Sequence, residues 1–334
     1  LRRESNAPTA GSLQRTAAHR LAKRTEHLHG EFPMLVQGAI AENNRIDVPK
    51  VITEKQVKSF VEDGFLIVPD LITTDQVEEL ERDAADLARG KYPCASLKPL
   101  PDHLGDDDAL RNILCIHHPH QVSPVVDRYV KHPKTCGILS QITAAHIAHW
   151  DGSVKCMQSM IFVKPPGFPG QAWHQDEIYI PTRDRSLIGV WIALDPATTA
   201  NGCLWVIPGS HRNGYLFPNR PHTNPDEFDV AKESYGFDDS VEIPVELKAG
   251  SAVFFNGYLL HRSKKNRSNI YRRSLVNHYM NAWSLLPWWF GVGAPPSDIG
   301  SCDVRKVVPV AGVDPYAWKG YVNTTDDVLL RPLK

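Results

Sequence analysis

From residue 153 the chain is written in short β-prone segments cut apart by Pro, Gly and Asn turns, and this punctuation constrains the fold more than any other feature. "VKCMQSMIFVKPPG", "AWHQDEIYIP", "LIGVWIALDPA", "GCLWVIPGSH", "VEIPVELKAGSAVFFNGYLLHRS" and "YRRSLVNHYM" follow one another at fairly even intervals. Many short strands, each closed by a turn, point to a sandwich or jelly roll. Helical patterns come first. "TEKQVKSFVEDG" predicts a helix capped by Thr53, with Val57, Phe60 and Val61 on its apolar face and Gly64 at its end; "FLIVPDLI" follows as a strand. "TTDQVEELERDAADLARG" predicts a second helix, with a Thr or Asp cap, Val77, Leu80, Ala84 and Leu87 at helical spacing, and Gly90 as its stop. Residues 93–109, rich in Pro and Asp, read as a loop, and "SPVVDRYVKHPKTCGILSQITAAHIA" carries one or two further helices.

Helices followed by a β-barrel give one α+β domain. Its expected parts are a polar extension over 1–50, a helical part over 51–150, a β core over 153–283 and a C-terminal extension over 284–334. The polar insert 212–241 has the length of a lid or an irregular excursion.

Of the 334 residues, 42% are hydrophobic and 22% charged, and the formal net charge is -1. No overall basic field advertises nucleic acid or an anionic membrane. The apolar runs fall well short of the roughly 20 residues a membrane span needs. Six cysteines, at 94, 115, 136, 156, 203 and 302, form no C-x-x-C pair and read as reduced thiols of a soluble, cytoplasmic protein. The Arg-rich, acid-poor N-terminus has the composition of an organelle transit peptide, so targeting stands beside a loose basic arm as its reading. A G-x-S-x-G elbow, a P-loop and a dinucleotide fingerprint are all missing from the sequence.

His174 and Asp176 stand two apart in "AWHQDEIYIP". On a strand they would share a face, with Gln175 turned away. Taken alone, the pair reads equally as a solvated couple on an outer face. A third residue changes that weighting, because "GSAVFFNGYLLHRS" ends a strongly apolar strand on His261. Two imidazoles and one carboxylate make the facial set of non-haem Fe(II) oxygenases, which leaves the opposite face open. A 2-oxo acid cosubstrate also needs a cation for its far carboxylate, and arginine's planar fork suits it best. "YRRSLVNHYM" offers Arg272 and Arg273, of which strand alternation turns only one inward.

The succession of H-Q-D, "NGCLWVIPGSH", "GSAVFF" leading to His261, and an arginine eleven residues later (272 minus 261) resembles the phytanoyl-CoA dioxygenase family. The resemblance spans roughly residues 53–283. It implies a double-stranded β-helix, a jelly-roll core of cupin type with the N-terminal helices packed on one sheet. It implies Fe(II), 2-oxoglutarate and O2 as cofactors and cosubstrates, with His174, Asp176 and His261 as iron ligands and Arg272 on the 2-oxoglutarate C5 carboxylate. Ser263 is similar to a family serine beside that carboxylate, Trp191 to a tryptophan lining its pocket, and Gln158 is a further candidate there. The family's His-Gly-Ser is His-Arg-Ser here, which would set Arg262 beside the iron, and no counterpart is assigned for the extra lysine some members use.

Other features carry blander readings. His117, His118 and His120 lie around Pro119 with no nearby carboxylate or thiol, and suit a loop by the substrate mouth or a structural role. His211 in "PGSH" reads as part of a turn. Trp288 and Trp289 suit core packing, a dimer contact or a pocket wall, and Arg262, Lys264, Lys265 and Arg267 a solvated loop or an anion site. The expected activity is hydroxylation of an unactivated C–H bond of a small molecule by a monomer or homodimer, coupled to decarboxylation of 2-oxoglutarate to succinate. A cupin-like metal isomerase or a silent binding protein is the alternative, and Arg272 with Ser263 discriminates against it.

Overall fold

The structure, a computed structural model, describes residues 44–94, 96–97, 100–101, 103–285, 306–321 and 328–332. The chain divides into the units Leu1–Arg45 and Ile46–Lys334, and the fold and the site both belong to the second.

Helix α1 (Glu54–Asp63) is fixed at both ends by its own sequence. Thr53 and Gln56 form a reciprocal capping box, and Gly64, at φ 81°, sends its N–H back to the Phe60 carbonyl. Phe60 is buried, but Val61, expected beside it, lies at the rim of the stripe and is 45% exposed. Strand β1 (Phe65–Val68) stops before Pro69, which has no N–H to extend a ladder, so "FLIVPDLI" is not one strand. Helix α2 (Thr74–Ala88) repeats the capping box with Thr73 and Gln76 and buries Val77, Leu80, Ala84 and Leu87 as its spacing requires. The stretch read as loop holds a short helix, α3 (Asp106–Leu110). Next come β2 (Ile113–His117), α4 (Pro124–Val130) and α5 (Pro133–Ile142), the last two each opening on a proline.

The remaining strands begin with β3 (Val154–Lys164), β4 (Gln171–His174), β5 (Ile188–Ala193), β6 (Leu204–Val206), β7 (Asn219–Pro221), β8 (Lys232–Ser234) and β9 (Ile243–Val245). After them run β10 (Ala252–Asn256), β11 (His261–Ser263), β12 (Arg272–Asn281), β13 (Val308–Ala311) and β14 (Leu329–Pro332). They form a large antiparallel sheet, β1-β10-β5-β12-β3-β2-β14 with β13 also on β3, and a smaller one, β4-β11-β6-β9. β7 and β8 pair as a separate ribbon. This is the double-stranded β-helix.

Two cores follow from period-2 alternation. On one face of the large sheet, Ile161, Val163, Val190, Ile192, Phe254 and Leu275 pack against helix residues such as Phe60, Leu80 and Leu87. The other face contributes Met160, Trp191, Val253 and Val276, which pack with Val206 of β6 and Val245 of β9 from the small sheet. The helices therefore cover one sheet, as expected, and leave the space between the sheets for a site. Along β12 the inward set is Arg272, Ser274, Val276 and His278, opposite Lys164, Phe162, Met160 and Gln158 of β3. No helix among the described residues is long and apolar enough to cross a membrane. Cys115, Cys136, Cys156 and Cys203 are buried free thiols.

Candidate active site

β4 ends on His174, and a 3-10 turn, Asp176–Ile178, begins at the aspartate. The two residues therefore meet at a strand end rather than along one strand face, which corrects the simple alternation argument. His261 joins them because β11 pairs antiparallel with β4 and places it directly opposite His174. Asp176 Oδ1 lies 3.6 Å from His174 Nε2 and 3.5 Å from His261 Nε2. The ligand atoms all fall within 4.8 Å of one another, the one such group of three among the described residues.

Each imidazole is oriented from behind. His174 Nδ1–H donates to the Ala172 carbonyl at 2.8 Å and His261 Nδ1–H to the Leu259 carbonyl at 3.0 Å. Both Nε2 lone pairs are thereby turned toward Asp176, the tautomer a metal requires. Burial, reinforced by His261, pushes His174 down to about 3, so its neutral form prevails. Burial alone would raise Asp176, but His261 and the hydrogen bond from His278 outweigh it and hold the carboxyl far below its usual range. Two imidazoles with Nε2 turned inward beside one carboxylate suit a divalent cation.

The far end of the same inward face carries cations. Arg272 is buried; its Nη1 donates to Ser274 Oγ at 3.2 Å, its guanidinium lies 5.4 Å from the Trp191 ring centre, and its Nε has no partner. Lys164, paired with it across the ladder, donates to Ser263 Oγ at 2.9 Å and to the Lys264 carbonyl at 2.8 Å. The Gln171 N–H also donates to Ser263 Oγ, at 3.2 Å, leaving the hydroxyl proton free to give. Among the described residues neither cation has a carboxylate partner. Burial lowers Arg272 to about 10; burial and then Arg272 itself hold Lys164 well below the usual lysine range.

His174, Asp176, His261, Arg272, Ser263, Trp191 and Gln158 all line one cavity of about 760 Å³. Lys164 and His278 line it too, and neither was singled out from the sequence. Both were within reach of even spacing: Lys164 is six residues after Gln158 on β3, and His278 six after Arg272 on β12. Lys164 is thus a candidate for the additional lysine left unassigned.

Arg262 is a correction. It faces away from the cavity, lies over the Trp173 ring at 4.5 Å and pairs with Glu242 at 2.6 Å, because alternation on β11 turns His261 and Ser263 inward and Arg262 out. Lys264 also pairs with Glu242, and Arg267 with Glu227, so three of the four cations of this basic stretch are engaged by neighbouring carboxylates. Arg273, the outward partner of Arg272, forks onto Asp195 and reaches Glu81. Gln175 does turn away, but into the protein, where it holds the carbonyls of Tyr215 and Tyr258 and the N–H of Phe217. His211 Nε2–H donates to the Val61 carbonyl, His120 bonds Ser159, and His117 lines the cavity. The 212–241 insert supplies a wall, with Asn219, Asp229, Val230 and Lys232 facing the cavity. Trp288 and Trp289 lie outside the described residues.

A double-stranded β-helix with a His–Asp–His cluster between its sheets is the architecture of the iron- and 2-oxoglutarate-dependent oxygenases. Comparison with known proteins narrows the class. The phytanoyl-CoA dioxygenase (PhyH) family model matches residues 60–274. Phytanoyl-CoA dioxygenase 1 of Oryza sativa subsp. japonica is 27% identical over 271 residues, 71% of this chain and 93% of that protein. Among solved structures, EctD from S. alaskensis with bound Fe superposes with a TM-score of 0.54 at 21% identity, covering 75% of this chain and 85% of that one. EvdO2 from Micromonospora carbonacea var. aurantiaca complexed with 2-oxoglutarate gives 0.52 at 21% identity, covering 77% and 98%. This chain belongs to the phytanoyl-CoA dioxygenase family, and it is an enzyme of the Fe(II)/2-oxoglutarate dioxygenase type.

Proposed function

We propose that the chain hydroxylates an unactivated C–H bond of a small molecule, using Fe(II) and 2-oxoglutarate held at the two ends of the cavity. The observation that carries this reading is one cavity joining the His–Asp–His cluster to a buried Arg272–Lys164 pair that has no carboxylate partner among the described residues. His174 and His261 through Nε2, and Asp176 through its carboxylate, would hold the ferrous ion. With 2-oxoglutarate and O2, that ion supplies the oxidising chemistry that hydroxylates a C–H bond while the cosubstrate leaves as succinate and CO2.

The chain's own residues do the positioning. Arg272 offers a planar fork, Lys164 an ammonium and Ser263 a hydroxyl proton to the far carboxylate of the cosubstrate. Trp191 and Gln158 close the pocket around it. Leu114, Ile178, Ile180 and Phe255 add apolar surface to the wall, while Asn219, Asp229, Lys232 and Arg331 make another part of it polar. Asp176 favours hydroxylation over halogenation, because halide would need the carboxylate's place.

Asp176→Ala should abolish substrate-coupled succinate formation; hydroxylation retained at the wild-type rate would contradict the ligand assignment. A succinate-release screen across CoA thioesters, free small acids and amines identifies the substrate. The rice relative's name makes phytanoyl-CoA its first member.

A further inference from the structure

We infer that His278 is a positioning residue for the carboxylate ligand: it ties up one oxygen of Asp176 and leaves the other to the metal. This rests on the reading of the cluster as an iron site. His278 Nε2 lies 2.9 Å from Asp176 Oδ2, whereas Oδ1 is the oxygen turned toward both ligand imidazoles, at 3.6 Å and 3.5 Å. The two oxygens of one carboxylate thus have separate partners.

The tautomer follows from the surroundings. His278 is buried, and among the described residues its Nδ1 has no hydrogen-bond partner. A carboxylate oxygen accepts, so His278 donates through Nε2 to Asp176 Oδ2. Among the described residues the imidazole makes no other hydrogen bond. Its place on β12 is equally specific. It stands on the inward set with Arg272, opposite Gln158 in register, immediately before the bulge between His278 and Tyr279. One strand therefore carries the cosubstrate's cation at one end and the brace for the metal's carboxylate six residues later.

A carboxylate free to turn about its Cβ–Cγ bond can ligate through either oxygen or both. Bound by His278, Asp176 keeps a single orientation and offers Oδ1. Its backbone sits in a 3-10 turn beyond the end of β4, so the ladder does not fix its side chain. The brace must come from outside the turn.

Anaerobic titration with Co(II), an absorbing stand-in for Fe(II), tests this without turnover. Removing an outer hydrogen-bond partner of a metal ligand typically weakens binding ~10–100-fold, so His278→Leu should lose affinity on that scale and change the visible Co(II) spectrum. His278→Gln, whose amide N–H reaches a similar position, should stay within about 3-fold of wild type and keep its spectrum. If His278→Leu does not fold, His278→Asn, with too short an amide to reach, takes its place, folding being checked by the metal-free melting temperature. Wild-type affinity and spectrum in His278→Leu would overturn the inference, as would a His278→Gln as weak as His278→Leu. Asp176→Ala separates the two levels. If it fails to bind Co(II) while His278→Leu binds normally, only the positioning role falls; if it binds like wild type, the ligand assignment falls as well.

Discussion

Arg272 and Lys164 lie side by side in a buried cavity wall, and among the described residues no carboxylate pairs with either. Burying a cation without an anion is unfavourable, and both groups titrate below their usual range for that reason. A dicarboxylate cosubstrate relieves the imbalance, so Lys164→Met separates binding from folding. Hydrogen bonds to charged groups are worth about 1.5–3 kcal/mol, so the 2-oxoglutarate concentration for half-maximal succinate release should rise ~10–100-fold. The melting temperature of the cosubstrate-free protein should hold or increase, because a like charge beside Arg272 is gone. An unchanged half-saturation would remove Lys164 from the site. At this scale the legible residues were those whose chemistry is scarce: His174, Asp176, His261 and Arg272 belong to types that few roles require together. Lys164 was missed because a lysine closing an apolar strand looks like a solvated end, and His278 because it has no partner nearby in sequence. Arg262 was misplaced by reading the sequence motif without the alternation that turns it outward.

Among the elements, the narrowest tolerance lies where β4 begins. A Cβ on Gly170 would sit 1.8 Å from the Ser263 carbonyl oxygen on β11, an approach no side chain allows. Gly170 also accepts from the Asp229 N–H and donates to the Glu227 carbonyl, both at 2.7 Å, which ties the insert to the sheet. Gly170→Ala should therefore push β4 from β11, lower the melting temperature and weaken 2-oxoglutarate binding through Ser263. Gly105→Ala is the control: its Cβ meets nothing nearer than 3.8 Å, and alanine for glycine at this N-cap should cost about 1 kcal/mol at most. Equal melting temperatures for the two variants would refute the close-approach account. Helix α1 and helix α2 were readable because capping boxes and glycine stops are local signals. The 3-10 turn at Asp176 was not, since the bend depends on Glu177 donating its N–H to the Gly257 carbonyl, 80 residues away (257 minus 177).

Over the whole molecule, order along the chain already conveyed the architecture: helices first, then short punctuated strands closing into two sheets. What it did not convey was how distant segments complete the cavity. The C-terminal extension supplies β13 and β14 to the large sheet, and Arg331 of β14 comes within 3.8 Å of Asp229 from the insert, both lining the cavity. Such meetings depend on tertiary packing and leave no local pattern. The central claim is that iron and 2-oxoglutarate share this one cavity, held at its two ends by His174–Asp176–His261 and by Arg272. Anaerobic addition of 2-oxoglutarate to the Fe(II)-loaded protein, followed by visible absorption, tests it most directly. The account predicts a charge-transfer band for wild type that is lost in Asp176→Ala and needs far more 2-oxoglutarate in Arg272→Leu; a wild-type protein showing neither a band nor 2-oxoglutarate binding would contradict it.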